Sequence, residues 1–156
     1  MKIREGTTED IKETLNLWWE LMQYHLKFSE KNYKTVSKEE CNLLSKDYHA
    51  SFINNKDKLL LVADENGVVG YLTAYKNNRP KVYENRQLGY IEDFYIKENF
   101  RNSGIGKQMM AEAIKIMKKR WDVKIFEVHV DSKNSSINLY KELGFEAHQI
   151  TMYKYD

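Results

Sequence analysis

Gly89-Tyr-Ile-Glu-Asp-Phe-Tyr-Ile96, followed after four residues by Arg101-Asn-Ser-Gly104-Ile-Gly106, is the stretch of this chain that decides its fold. The first run reads as a strand. The second leads into Ile105 to Trp121, where Ile105, Met109, Ala113, Ile114, Met117 and Trp121 recur at helical spacing. A strand that turns through glycines into a helix gathers backbone N–H groups at the positive end of the helix dipole, and that is a site for phosphate. The loop is not the dinucleotide fingerprint, whose first glycine is missing. It is not a P-loop either, since no Gly-Lys-Ser/Thr follows at the right spacing.

Upstream, Lys2 to Glu5 reads as a short strand. Thr7-Thr-Glu-Asp10 is a capping box for a helix carrying Ile11, Leu15, Trp18, Trp19, Met22 and Leu26. A second box, Ser37-Lys-Glu-Glu40, opens a helix with Cys41, Leu44, Tyr48 and Phe52 on one face. Leu59 to Ala63 and Val68 to Tyr75 flank Asn66-Gly67, the strongest short hairpin signal. Residues 77 to 86 are polar, contain Pro80 and read as a loop, followed by a strand over Leu88 to Ile96. Downstream come a strand over Val123 to Val130 and a short helix from Asn134 to Leu143. Gly144 stands at its C′ position, and Ala147 to Tyr155 alternates as a final strand. The order β-α-α-β-β-β-α-β-α-β mixes hairpin and crossover connections. It predicts an α/β (α+β) fold with a mixed sheet flanked by helices, in one domain over residues 1–156.

Composition narrows the function. The net charge of +2 is too small to argue for nucleic acid, and Lys118-Lys119-Arg120 suits a helix C-terminus. No apolar run approaches the roughly 20 residues of a membrane span, and the first residues hold no apolar signal core. With Cys41 as the one cysteine, no intramolecular disulfide forms, and a cytoplasmic protein is expected. His25, His49, His129 and His148 have no ligand spacing, so no metal is expected.

About thirty residues after the loop stands Asn134-Ser-Ser-Ile-Asn-Leu-Tyr140-Lys-Glu-Leu-Gly144-Phe145. With this second motif the chain resembles the GCN5-related N-acetyltransferase (GNAT) superfamily. That family's first motif is an acidic strand, then R/Q-x-x-G-x-G/A and a helix, met here by Glu92 to Ile96 and Arg101 to Gly106. Its second is an asparagine, a tyrosine on a short helix, then Gly-Phe. Within the superfamily, Gly89 to Gly106 is most similar to the diamine and polyamine acetyltransferases. The resemblance implies the GNAT fold and acetyl-CoA as cosubstrate. The backbone of Phe94, Tyr95 and Ile96 would pair with the pantetheine arm. Amides of Asn102, Ser103, Gly104, Ile105, Gly106 and Lys107 would face the pyrophosphate, with Arg101 closing the loop. Asn134 would cap its helix, contact the pantetheine amide, or both.

Amine acetylation sets the chemistry. An alkylammonium near pKa ~10.4 is scarce as free amine at pH 7, by about 3.4 units or roughly 4.6 kcal/mol. A base must take its proton, and Glu92 is the leading candidate, with burial expected to raise its basicity. Asp93 is its neighbour, and in a regular strand only one of the two faces the substrate unless a bulge intervenes. Tyr140 would protonate or hydrogen-bond the departing CoA thiolate, an uphill transfer of roughly 1.5 units for an unperturbed phenol. Asp93, Trp18, Tyr24 and His25 are candidates for the acceptor side. The expected partner is a small-molecule amine, with the 77–86 loop narrowing the groove. Arg79, Lys81 and Arg86 in that loop suit an anionic acceptor better than a polycation. Rival readings are a protein N-terminus or lysine as acceptor, a non-catalytic acyl-CoA sensor, and a nucleotide-binding protein using the same loop. A homodimer through the final strand is compatible with the alternation of Ile150, Met152 and Tyr153.

Overall fold

The computed structural model describes residues 1–156. In chain order it holds β1 (Lys2–Glu5), α1 (Ile11–Leu26), α2 (Glu30–Tyr33), α3 (Lys38–Ala50), β2 (Lys58–Asp64) and β3 (Val68–Asn78). Then come β4 (Gln87–Ile96), α4 (Ile105–Trp121), β5 (Phe126–Val128) and α5 (Ile137–Glu142). The five strands form one sheet in the order β1-β2-β3-β4-β5. The first four are antiparallel, and β5 joins β4 in parallel, so the sheet is mixed as predicted. The β2–β3 hairpin turns at Asn66 and Gly67, both at positive φ (58° and 129°), the geometry that makes Asn-Gly a hairpin signal.

Helices cover both faces of the sheet, which is why β2 reads as an unbroken apolar run. Leu59, Leu61, Leu72, Ala74 and Ile91 meet α4 through Met109, Met110, Ala113 and Met117. Leu60, Val62, Tyr71 and Tyr95 face the other way, onto Ile11, Leu15, Leu17 and Leu21 of α1. The Thr7–Asp10 box forms, with Thr7 N–H donating to Asp10 Oδ2 (2.8 Å), whereas at Ser37 only half of the expected box is present, Glu40 N–H donating to Ser37 Oγ (3.2 Å). Arg4 ties three segments together. Its guanidinium bonds both oxygens of Asp10 (2.7 and 2.9 Å) and Asp64 Oδ2 (2.8 Å).

Several sequence expectations need correction. No strand forms over 147–155; those residues have no strand partner and are exposed. Alternation there records amphipathic composition, but a strand also needs a neighbour for its peptide groups. β5 is only three residues long, because β4 and the chain beyond Val128 diverge. Residues 77 and 78 belong to β3, so the loop is 79–86. On α3, Leu44 and Tyr48 are exposed (69% and 42%), while Cys41 and His49 are buried. The polar Ser45 and His49 disguised the inward face. On α1, Thr14, Leu17 and Leu21 are buried beside Ile11 and Leu15, a wider arc than one stripe, because α1 packs on both the sheet and α3. No helix is long and apolar enough to cross a membrane.

Candidate active site

The site begins where the sheet opens. β4 pairs with β5 only from Gly89↔Phe126 to Ile91↔Val128. Beyond that point β4 continues against β3 to Ile96, with no partner on its other edge. The peptide groups of Phe94 and Tyr95 therefore border a gap suited to another extended chain. Ile96 C=O is partly committed, since it accepts Arg101 Nε–H at 2.9 Å.

The glycine loop follows directly. Asn102 (φ 60°) and Gly104 (φ 85°) are both left-handed, and Gly104 is the N-cap of α4. Such alternation turns successive N–H groups toward one concavity. Ser103 Oγ donates to Phe100 C=O at 2.6 Å and pins the turn. Ile105 is buried in the core, whereas Asn102, Ser103, Gly104 and Lys107 lie at the surface. Gly106 faces Phe94, Ile96 and Leu139, and a Cβ there would stand 3.4–3.5 Å from them, in ordinary contact, so α4 meets β4 and α5 at this point. Lys107 spans to Glu142 of α5 at 2.8 Å. The Arg101 guanidinium lies over the rings of Tyr24 and Tyr95, 5.2 and 5.1 Å from their centres.

At the opening, β4 bulges. Thr73 pairs with Asp93 and Ala74 with Ile91, leaving Glu92 as the extra residue. The bulge brings both carboxylates to the α1/α3 side of the sheet. Glu92 accepts from Tyr48 Oη, 2.6 Å from each carboxylate oxygen. Asp93 N–H donates to Thr73 Oγ1 (3.1 Å). Asp93 keeps a strip of solvent contact but is otherwise enclosed. Desolvation first, then the charge of Glu92, pushes its carboxyl up to about 7, against a pull downward from the Tyr71 hydroxyl. Burial therefore acts on Asp93, where the sequence reading looked to Glu92.

Tyr140 approaches from the opposite face. It is 7% exposed, packs edge-on against Phe145 at 5.8 Å between ring centres, and belongs to the α4-side core that Phe94 also touches. Burial pushes its phenol up to about 12. Asn134 Oδ1 accepts Ser136 N–H at 2.9 Å, a turn that starts the segment entering α5, and Gly144 takes the left-handed conformation (φ 85°) expected at C′.

The acceptor candidates on α1 separate into two groups. Trp18 packs edge-on against His49 (5.9 Å), whose ring lies 6.1 Å from that of Tyr71; it supports the carboxylate recess from behind. Tyr24 stands with Arg101 at the glycine loop, and His25 packs on Phe28 and Tyr33, so neither meets the carboxylates. The sequence reading missed Tyr48, Tyr75, Tyr90 and Glu127. Tyr75 and Tyr90 are cross-strand partners with rings 5.0 Å apart, and Glu127 pairs with Tyr90. A signal existed: Tyr71, Thr73 and Tyr75 recur at period 2, a polar-tipped face within an otherwise apolar strand.

A family model described as the acetyltransferase (GNAT) family matches residues 14–145. Among curated proteins, the chain is 31% identical over 67 residues to glucosamine 6-phosphate N-acetyltransferase of Trypanosoma brucei brucei, covering 43% of this chain and 44% of the relative. It is 28% identical over 149 residues to an uncharacterised N-acetyltransferase of Methanocaldococcus jannaschii, covering 95% of this chain and 62% of the relative. The match thus spans less than two thirds of the length of either relative. Among solved structures, a tetramutant protein from Bacillus halodurans is similar with a TM-score of 0.82 and 25% identity over 99% of both chains.

Proposed function

This chain belongs to the GNAT acetyltransferase family, and from that premise we propose that it transfers the acetyl group of acetyl-CoA to a primary amine of a small molecule. One juxtaposition supports the reading best. The free edge of β4 runs from the glycine loop to the bulge, with the carboxylates on one face of the strand and Tyr140 on the other. A thioester laid along that edge has a proton acceptor on one side and a hydrogen-bond donor on the other. On this reading, peptide groups of Phe94, Tyr95 and Ile96 hold the pantetheine arm. Asn134 contacts the pantetheine amide on the same reading. The amides from Asn102 to Lys107 hold the pyrophosphate.

The amine attacks the thioester carbonyl directly once the Glu92–Asp93 pair has taken its proton. Tyr140 stabilises the leaving thiolate. With its phenol near 12 and a thiol near 8.5, full proton transfer is uphill by about 3.5 units, or roughly 4.8 kcal/mol, so Tyr140 acts as a hydrogen-bond donor. The acceptor lining is aromatic and acidic: Tyr48, Tyr75, Tyr90, Glu92, Asp93 and Glu127. Along β4 the basic 79–86 loop ends seven residues before Asp93, about 23 Å away at ~3.3 Å per residue. Local charge therefore favours an ammonium group, and the loop does not narrow the groove at the carboxylates. An amine panel with acetyl-CoA, read by thiol release and product mass spectrometry, tests this. Monoacetylated product from a small cationic amine is expected. Acetylation of peptides alone would overturn the acceptor class, and tight CoA binding without turnover would leave a non-catalytic binder.

A further inference from the structure

The two carboxylates at the bulge are held differently. Tyr48 Oη stands 2.6 Å from both Glu92 oxygens, so its one proton is shared between them and ties that carboxylate to α3 while leaving it ionised and fixed in place. Asp93 has its backbone fixed to Thr73. Its carboxylate lies near enough to the fully buried Tyr71 hydroxyl to feel its pull, although the two stop short of a well-formed hydrogen bond and the hydroxyl has no other partner. We propose that the pair divides its labour: Asp93 accepts the proton of the incoming ammonium, while Glu92, clamped by Tyr48, is the fixed charge that orients it. This rests on the acetyltransferase reading and assigns the roles within it.

The surroundings of Asp93 favour that division. From α3 come Tyr48 and His49; burial pushes the His49 imidazole down to about 4, so it carries no charge at neutral pH. From β3 come Tyr71 and Thr73, and from β4 come Tyr90 and Glu92, both phenols being raised by burial and by these carboxylates. Lys58, the cation on this side, turns to Ser51 Oγ (2.7 Å) and lies over the Tyr48 and Phe52 rings. Asp93 is thus set against a like charge in a recess open to solvent only along one strip, which places it near the working pH where a base is most effective. In the step, one N–H bond of the ammonium breaks and its proton joins an Asp93 oxygen. The freed lone pair forms the C–N bond as the C–S bond breaks and sulfur leaves with its electron pair. The second proton lost from nitrogen neutralises the thiolate, and Asp93 returns its proton to solvent.

The test combines carboxyl carbon NMR titration with pH profiles of kcat/KM. The expected titration shows one aspartate near neutrality that vanishes in Asp93→Asn and falls in Glu92→Gln, where the like charge is gone. The acid limb of the profile should move to lower pH in Glu92→Gln. Asp93→Asn should lose about 10²- to 10⁴-fold in turnover, the usual share of a general base. If no aspartate titrates above the ordinary carboxylate range, or if the acid limb persists in Asp93→Asn and disappears in Glu92→Gln, the division is wrong. The titration needs no turnover. Inactivity of the unsubstituted protein toward every amine would therefore count against the acetyltransferase reading, separately from this one.

Discussion

Replacing Tyr140 by Phe isolates one hydrogen bond. The ring sits in the α4-side core against Phe145, and Phe keeps that packing, so folding should be preserved. What is lost is a hydroxyl whose proton burial holds tightly, with the phenol near 12. A hydrogen bond to a charged group is worth about 1.5–3 kcal/mol. At 1.36 kcal/mol per decade that is roughly a 10- to 150-fold loss. The loss should fall on the chemical step, because the sulfur acquires charge only as the C–S bond breaks. Single-turnover kinetics, which exclude product release, read this number directly. Calorimetric CoA affinity and the melting temperature should stay unchanged. A single-turnover rate equal to that of the parent protein would refute the donor role. So would a loss of CoA affinity as large as the loss in rate, since that would make Tyr140 a ground-state contact.

Other outcomes follow from the same geometry. Gly104→Ala meets no atom closer than Gln108 Nε2 at 3.9 Å, so its cost is conformational: about 1–2 kcal/mol at φ 85°, or relaxation of the loop with weakened CoA binding, seen by calorimetry. Gly89→Ala would put a Cβ 2.7 Å from Met117 Sδ and 3.2 Å from Phe126 where β5 meets β4; overpacking there should cost about 1–3 kcal/mol in denaturant melts. Asp10→Asn leaves the Arg4 guanidinium short of one carboxylate and should cost about 3 kcal/mol. Arg4 holds the Asp10 carboxyl below the usual range, so its stabilisation is complete above the unfolded value of ~3.9 and is lost as pH falls through the folded value. Acid-limb unfolding curves should therefore be flatter for Asp10→Asn.

Local signals carried most of the fold. The helix over 105–121 was legible because its apolar spacing is regular and glycines mark its start. The β2–β3 hairpin was legible because Asn-Gly has one common structural use. What failed depended on neighbours. The 147–155 segment alternates, but pairing is a property of two chains' peptide groups. The buried face of α3 was misread because His49 is polar by composition and buried in fact, under Trp18 and Tyr71. At the site, Glu92, Asp93 and Tyr140 were visible as residues. Their distribution over the two faces of β4 was not, because the bulge at Glu92 arises from pairing with β3. Tyr48 was hidden for the same reason: it is forty-four residues from Glu92 in the chain and meets it only once α3 has packed.

Arg101 changes how the loop motif is understood. Its guanidinium donates to Ile96 C=O and is stacked over Tyr24 and Tyr95, so it braces the loop from beneath and spends its charge on protein groups. The first letter of R/Q-x-x-G-x-G/A is then a requirement for a long side chain ending in an N–H donor, which glutamine meets as well as arginine. On the proposed acetyltransferase reading, anion capture would then fall to peptide dipoles, which are fixed in place and carry no mobile counterion. A site built this way should hold its ligand with little sensitivity to ionic strength, unlike one assembled from lysine and arginine side chains.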